Sequence, residues 1–352
     1  MYTQSELLEK INKALEAMTY NEEPTGLYDP IRYVLSMGGK RIRPVLMLLA
    51  YNLYKEDVNS IMSHALALET YHNFTLLHDD VMDNADLRRG NPTVHKKWNE
   101  NTAILSGDAM LILAYRLMTE GRVADAISTG LGDASMNQNV ARALKTFTEA
   151  TLGVCEGQQY DMDFETRKDV KEEEYLEMIR LKTSLLLACA ARMGAELAGA
   201  SEEDANNLYE YGEKMGLAFQ LQDDLLDVYG DPAVFGKKIG GDILCNKKTF
   251  MLIHAKNISN AEQESELNFW VSETDFVPEE KINAVRAIYD ALDMQSICRK
   301  KIEELFALSL KALDKVNVAD EKKEKLREYA HKMMGREYLS FHCSFIIILY
   351  NV

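Results

Sequence analysis

The same aspartate cluster occurs twice in this chain. His78-Asp79-Asp80-Val81-Met82-Asp83 stands early, and Gln222-Asp223-Asp224-Leu225-Leu226-Asp227 much later. Each follows an apolar stretch with helical spacing: Tyr71-His72-Asn73-Phe74-Thr75-Leu76-Leu77 leads into the first and Met215-Gly216-Leu217-Ala218-Phe219-Gln220-Leu221 into the second. On a helix turning about 100° per residue, the first and last aspartates of each set share a face, with the middle one beside them. Carboxylates so placed repel one another and resist desolvation. A multivalent cation relieves both costs. All-oxygen donors suit a hard ion such as Mg²⁺, which commonly bridges carboxylates to phosphate oxygens. The pattern therefore predicts two buried helices whose acidic ends face each other and clamp a diphosphate through metal ions.

The rest of the chain agrees with a helical frame. Strand-like alternation is nearly absent, and apolar residues recur near the 3.6 period over Ser5–Met18, Arg43–Tyr54, Asn59–Asp83, Thr102–Thr119, Val140–Gln159 and Glu202–Tyr229. Pro30–Leu35, Lys171–Ala198, Lys248–His254, Pro278–Val316 and Asp320–Tyr338 read as further helices. Gly38-Gly39 breaks one helix from the next. Two segments read as loops: Gly121–Asn139, and Asp231–Asn246, whose Lys237 and Lys238 could fold over phosphates. The expectation is an all-α chain, one domain over residues 1–352. Its end, Leu339–Val352, is apolar and strand-prone, matches nothing catalytic and is assigned no role.

Charge narrows the partners. The chain has 352 residues and a formal net charge of −16, with no basic stripe, so nucleic acid is excluded as the main partner. Five scattered cysteines without C-x-x-C spacing argue against a disulfide framework or a zinc site and for a reducing compartment. The N-terminal residues lack a signal-peptide pattern, and no apolar run approaches the roughly 18 residues that span a bilayer. A soluble, cytoplasmic enzyme is expected.

An acidic protein can hold an anionic substrate where local cations reverse the field. Gly39-Lys40-Arg41-Ile42-Arg43-Pro44 supplies Lys40 and Arg43 behind a glycine turn, and Arg88-Arg89-Gly90 lies five residues past Asp83. Lys182-Thr183, Lys237 and Lys247 are scattered singles. His72 lies two helical turns before Asp79, and Gln220 one turn before Asp223, each on the face of the aspartate it precedes.

In these ordered motifs the chain resembles the trans-type isoprenyl diphosphate synthases (polyprenyl synthetases, including farnesyl and geranylgeranyl diphosphate synthases) over about Tyr28–Tyr338. The series runs from Gly39–Pro44 through Leu77–Asp83, Arg88–Thr93, Gly157-Gln158 before Asp161, Lys182-Thr183 and Phe219–Asp227 to Gly236-Lys237 with Gly240 and Asp242. The resemblance implies a bundle of ten or more helices around a central cavity and a homodimer. It implies that Asp79 and Asp83 bind two Mg²⁺ ions and Asp223 a third, with Mn²⁺ as a substitute. Asp80, Asp224 and Asp227 then support the metal site. Arg88, Lys182 and Lys237 hold an allylic diphosphate, and Lys247 completes the grip. Lys40, Arg43, His72 and Arg89 hold isopentenyl diphosphate, and Gln220 and Thr183 face the developing cation. The family often shows Glu-Gly-Lys where this chain has Cys245-Asn246-Lys247, so the turn there is expected to differ.

The reaction implied is prenyl transfer: the diphosphate departs from the allylic carbon, the isopentenyl double bond attacks, and the released diphosphate takes the proton. Phe74 lies five residues before Asp79, about 7.5 Å down the helix, and reads as the floor of the product pocket. The resemblance implies that one aromatic there, followed by the small Thr75, tends toward a twenty-carbon product and two toward fifteen, so a short-chain product, geranylgeranyl or farnesyl diphosphate, is expected. Two rival readings share the aspartates. A class I terpene cyclase would leave Lys40, Arg43 and His72 surplus, and a non-catalytic subunit of a heteromeric synthase would usually lose its aspartates. A di-iron or heme bundle would need Glu-x-x-His pairs, and none is suitably placed.

Overall fold

Both aspartate clusters end helices in the computed structural model, which describes residues 1–18, 20, 22–129, 134–231 and 239–335. The order of elements is α1 (Gln4–Ala17), α2 (Thr25–Ser36), α3 (Ile42–Asn52), a 3₁₀ turn (Val58–Ile61), α4 (Met62–Met82), the two-residue strands β1 (Leu87–Arg88) and β2 (Asn91–Pro92), α5 (Val94–Lys97), α6 (Glu100–Thr129) and α7 (Ala134–Thr166). It continues with α8 (Glu172–Ile179), a π-helical turn (Arg180–Ser184), α9 (Leu185–Ala198), α10 (Glu202–Tyr229), α11 (Gly241–Leu244), α12 (Phe250–Ile258), α13 (Ala261–Ser272), α14 (Pro278–Ala291), α15 (Met294–Asp314) and α16 (Asp320–Met334). The all-α expectation holds, and the hairpin β1–β2 is the only sheet among the described residues.

Contacts divide the chain into two units. The first comprises Met1–Thr148, Ala190–Leu208 and Asn317–Leu326. Its centre is α4, which packs along α6 and against α3, with α1 and α2 alongside. From His64 to Tyr71 every residue of α4 is buried, so this helix is enclosed rather than amphipathic. The second unit comprises Glu149–Cys189, Tyr209–Val316 and the chain from Arg327. Its core gathers Phe164, Tyr175, Leu221, Leu225, Met251 and Cys298. Each leucine, phenylalanine or methionine among them, when fully buried, contributes about 1.5–3 kcal/mol of hydrophobic stabilisation.

Several boundaries differ from the sequence reading. Gly121–Asn139 is not a loop: α6 runs to Thr129 and α7 starts at Ala134, with residues 130–133 outside the described set. One glycine costs a helix only about 1 kcal/mol, and Ala124, Ala126 and their neighbours are helix formers that absorb it. α2 begins at Thr25, ahead of Pro30, which it contains. Helix α13 was not expected; its signal is the capping box of Asn260 and Gln263. Part of the second expected loop forms the single turn α11. Its Lys237 and Lys238, and the tail Leu339–Val352, lie outside the described residues.

Candidate active site

Helix α4 stops where its acidic cluster begins to leave it. Asn84 takes the left-handed conformation (φ 49°), and Ala85 N–H returns to the Asp80 carbonyl at 2.9 Å, a Schellman-like end that satisfies the last carbonyls. Asp79, Asp80 and the C-cap Asp83 therefore sit at the negative end of the helix dipole, as do Asp223, Asp224 and Asp227 in the last turns of α10. A cation near either set is favoured by this end of the dipole.

The aspartates of one set are not alike. Asp79 is half-buried and Asp83 exposed. Asp80 is buried, and Arg88 Nε donates to its Oδ1 at 2.9 Å, with Nη2 beside it. Burial pushes the Asp80 carboxyl above its usual range, against the pull of Arg88. Burial also weakens the Arg88 charge, but Asp80, with Asp79 and Asp83 nearby, outweighs this and holds the guanidinium more firmly protonated than usual.

The hairpin delivers that arginine. Arg89 and Gly90, at its tip, have φ of 52° and 76°, the pair of positive angles that a type I′ turn demands. Arg88 is thereby turned to Asp80, and Arg89 donates Nη1 to the Gly38 carbonyl. Gly39 has φ 141°, and a Cβ built on it would stand 3.0 Å from the Arg89 guanidinium carbon. The glycine turn thus lets the Arg89 head lie against the start of Lys40–Arg43. Within that basic run Arg41 has a structural role that the sequence did not reveal. Its Nη1 donates to Glu69 Oε1 at 2.6 Å in a buried pair. Asn73 Nδ2 donates to the same oxygen at 2.9 Å, and Arg41 Nη2 donates to the Leu35 carbonyl at 2.9 Å. His72 lies in the field of Arg43, Arg89, Arg88 and Arg41; burial first, and these charges next, hold its pKa well below the ordinary imidazole value.

In the second unit, the π-helical turn breaks the ladder at Lys182 and Thr183, a device frequent at functional sites. Lys182 Nζ donates to Asp161 Oδ2 at 2.6 Å. A side chain on Gly157 would collide with the Lys182 backbone, so this glycine seats α7 against the turn. Thr183 Oγ1 donates to Gln220 Oε1 at 3.0 Å, and Gln220 Nε2 to Asp224 Oδ1 at 3.0 Å. Asp224 is 5% exposed; burial, with Asp242 nearby, pushes its carboxyl up to about 7 despite the bonds it accepts. The phenol of Tyr175 donates to its other oxygen, Oδ2. Asp227 Oδ2 accepts the Asp242 N–H at 2.9 Å, so it caps α11, while Asp223 remains half-buried. Lys247 is exposed. Asn246, before it, takes φ 55° and accepts from the buried Lys281 Nζ at 2.7 Å. Left-handed backbone suits asparagine as well as glycine, which explains how asparagine stands where the family often has glycine.

The donor set fits a divalent cation shared with a ligand rather than a closed cage. Among the described residues no three His, Cys, Asp or Glu side chains converge to hold an ion alone. Asp79, Asp83 and Asp223 are the members of the two sets left least buried. Mg²⁺ is usually bound by one or two carboxylates plus substrate phosphates.

Comparison with known proteins gives the family and the fold. The family model described as Polyprenyl synthetase matches residues 24–292. Geranylgeranyl diphosphate synthase of Methanosarcina mazei is 40% identical over 245 residues, covering 70% of this chain and 72% of that one. A crystal structure of a geranylgeranyl pyrophosphate synthase superposes with TM-score 0.87 at 43% identity, over 96% of this chain and 99% of that one. A geranylgeranyl pyrophosphate synthase of Corynebacterium glutamicum, crystallised with isoprenyl diphosphate and magnesium, gives TM-score 0.79 at 27% identity over 95% and 97%. No described helix is long and apolar enough to cross a membrane.

Proposed function

The chain belongs to the polyprenyl synthetase family and is a short-chain prenyltransferase; on that premise we propose that it joins isopentenyl diphosphate head-to-tail to an allylic diphosphate and makes geranylgeranyl diphosphate, acting as a cytoplasmic homodimer. The observation that carries the two-substrate reading is the seating of Arg89 against Gly38-Gly39. It supports a second diphosphate grip built from Arg89 and the neighbouring Lys40–Arg43 run, with the field of Arg43 and Arg89 reaching His72, which a terpene cyclase with one diphosphate substrate would not need.

Mg²⁺ ions, three in number and replaceable by Mn²⁺, would be held by Asp79, Asp83 and Asp223 and would neutralise the departing diphosphate, the chemistry metal ions supply to such leaving groups. Arg88, Lys182 and Lys247, and Lys237 by the family resemblance, would add positive charge to the same developing anion. Arg88 brings two nitrogens already committed to Asp80, so its orientation is set before substrate arrives. The allylic C–O bond breaks, and Gln220 and Thr183 offer oxygen dipoles to the cation left behind. The isopentenyl diphosphate gripped by Lys40, Arg43, His72 and Arg89 presents its double bond, which forms the new C–C bond. Loss of a proton to the released diphosphate regenerates an alkene. Water must be excluded, since it would trap the cation.

Phe74, with its ring centroid 5.4 Å from that of Tyr71 and 4.8 Å from that of His78, is the proposed floor of the product pocket. Phe74→Ala should shift products beyond twenty carbons on chromatography; an unchanged product distribution rejects the floor. The reaction itself is tested by incubating the purified chain with isopentenyl diphosphate, Mg²⁺ and each of the five-, ten- and fifteen-carbon primers. Chain elongation to twenty carbons is expected. Conversion of a primer without isopentenyl diphosphate would favour the cyclase.

A further inference from the structure

Tyr175 has no place in the phosphate grip, yet it is 2% exposed and its hydroxyl meets an aspartate of the second set. Its contact closes a circuit. Tyr175 on α8 and Thr183 in the following π-helical turn flank Gln220 and Asp224, one helical turn apart on α10. The hydrogen bonds run Thr183 Oγ1 to Gln220 Oε1 at 3.0 Å, Gln220 Nε2 to Asp224 Oδ1 at 3.0 Å, and Tyr175 Oη to Asp224 Oδ2. The two elements are brought close by Gly216, where any side chain would collide with Ser184.

The chemistry of these groups gives the circuit a direction. Asp224 accepts on both oxygens, Oδ1 from Gln220 and Oδ2 from Tyr175, whereas a glutamine amide has a donating and an accepting end. Asp224 therefore forces the Gln220 nitrogen toward itself and the Gln220 oxygen toward Thr183. The Thr183 hydroxyl spends its proton on that oxygen, so its own lone pairs point elsewhere. Without Asp224 the amide could sit either way round, and its nitrogen end would oppose a cation.

We propose that Tyr175 and Asp224 are positioning residues that fix the direction of the Gln220 amide, so that Gln220 and Thr183 both present oxygen lone pairs to the allylic cation. This rests on the prenyltransfer reading above. On this view Asp224 serves the cation and not the metal ions.

An exchange of polarity tests it. In Asp224→Asn the new oxygen accepts from Tyr175, its nitrogen faces Gln220, and the amide must reverse. The turnover number should fall by about a hundredfold, the size of effect that follows loss of one well-aimed dipole, while the Mg²⁺ concentration for half-maximal rate stays the same. Adding Gln220→Glu supplies an acceptor to both the introduced asparagine and Thr183, and should restore the turnover number to within about tenfold of the unmodified chain. Tyr175→Phe should lower turnover in the unmodified background but not further in a Gln220→Ala background. Thermal melts check that each variant folds; should Tyr175→Phe not fold, the Asp224/Gln220 exchange decides alone. A folded double exchange without recovery, or an Asp224→Asn defect cured by excess Mg²⁺, overturns the proposal. Absence of any product from the unmodified chain with both diphosphates overturns the prenyltransfer reading instead, which separates the two failures.

Discussion

His72 is uncharged at neutral pH, because burial and the surrounding arginines hold its pKa well below 6.5. The unfolded chain takes up this proton near pH 6.5, whereas the folded chain resists it, so below that pH the unfolded state binds more protons and stability falls as the solution is acidified. His72→Gln should flatten the fall in melting temperature between pH 7.5 and 5.5; equal slopes in both proteins would show that His72 titrates normally. The same residue scale explains what the sequence concealed. The helical spacing of His72, Asp79 and Gln220 was readable because it is local. The pairing of Asp80 with Arg88 follows from a tight turn eight residues on, and a two-arginine run leaves open which one turns inward. Tyr175 and Asp224 meet across 49 positions, and no spacing rule connects them. Arg41, in the middle of a basic run, reads as surface charge until Glu69 is seen beside it.

At the scale of elements, two close approaches depend on glycine, at Gly39 and at Gly157. Gly39→Ala places a methyl against the Arg89 guanidinium and strains a φ of 141°. The KM for isopentenyl diphosphate should rise by about tenfold, a loss of about 1.4 kcal/mol, with the KM for the allylic primer little changed; initial-rate measurements varying each substrate separate the two. Equal shifts in both would place the turn outside the isopentenyl grip. Gly157→Ala should instead act through Lys182, whose backbone it would meet, and overpacking of this kind costs typically about 1–3 kcal/mol. Its signature is a lowered melting temperature together with a raised KM for the allylic primer. The helices were legible wherever apolar residues kept their period. The extension of α6 through Gly121 and the presence of α13 were not, because a lone glycine and a cap are weak signals beside the apolar pattern.

At the scale of the molecule, folding and metal binding are separate. The two cores are apolar and need no ion, so EDTA should abolish turnover while leaving the far-ultraviolet circular dichroism unchanged; loss of helical signal would mean that the metal is structural. Mg²⁺ and pyrophosphate together should raise the melting temperature more than the sum of their separate effects, since a ligand at a hundredfold excess over its dissociation constant adds about 2.7 kcal/mol. The proposed reaction requires that both acidic helix ends act on a single diphosphate. The direct measurement is a crystal structure of the chain with Mg²⁺ and pyrophosphate. The account predicts ions on Asp79, Asp83 and Asp223 that all share oxygens of one pyrophosphate; ions on one cluster alone, or two clusters each binding its own pyrophosphate, would contradict it.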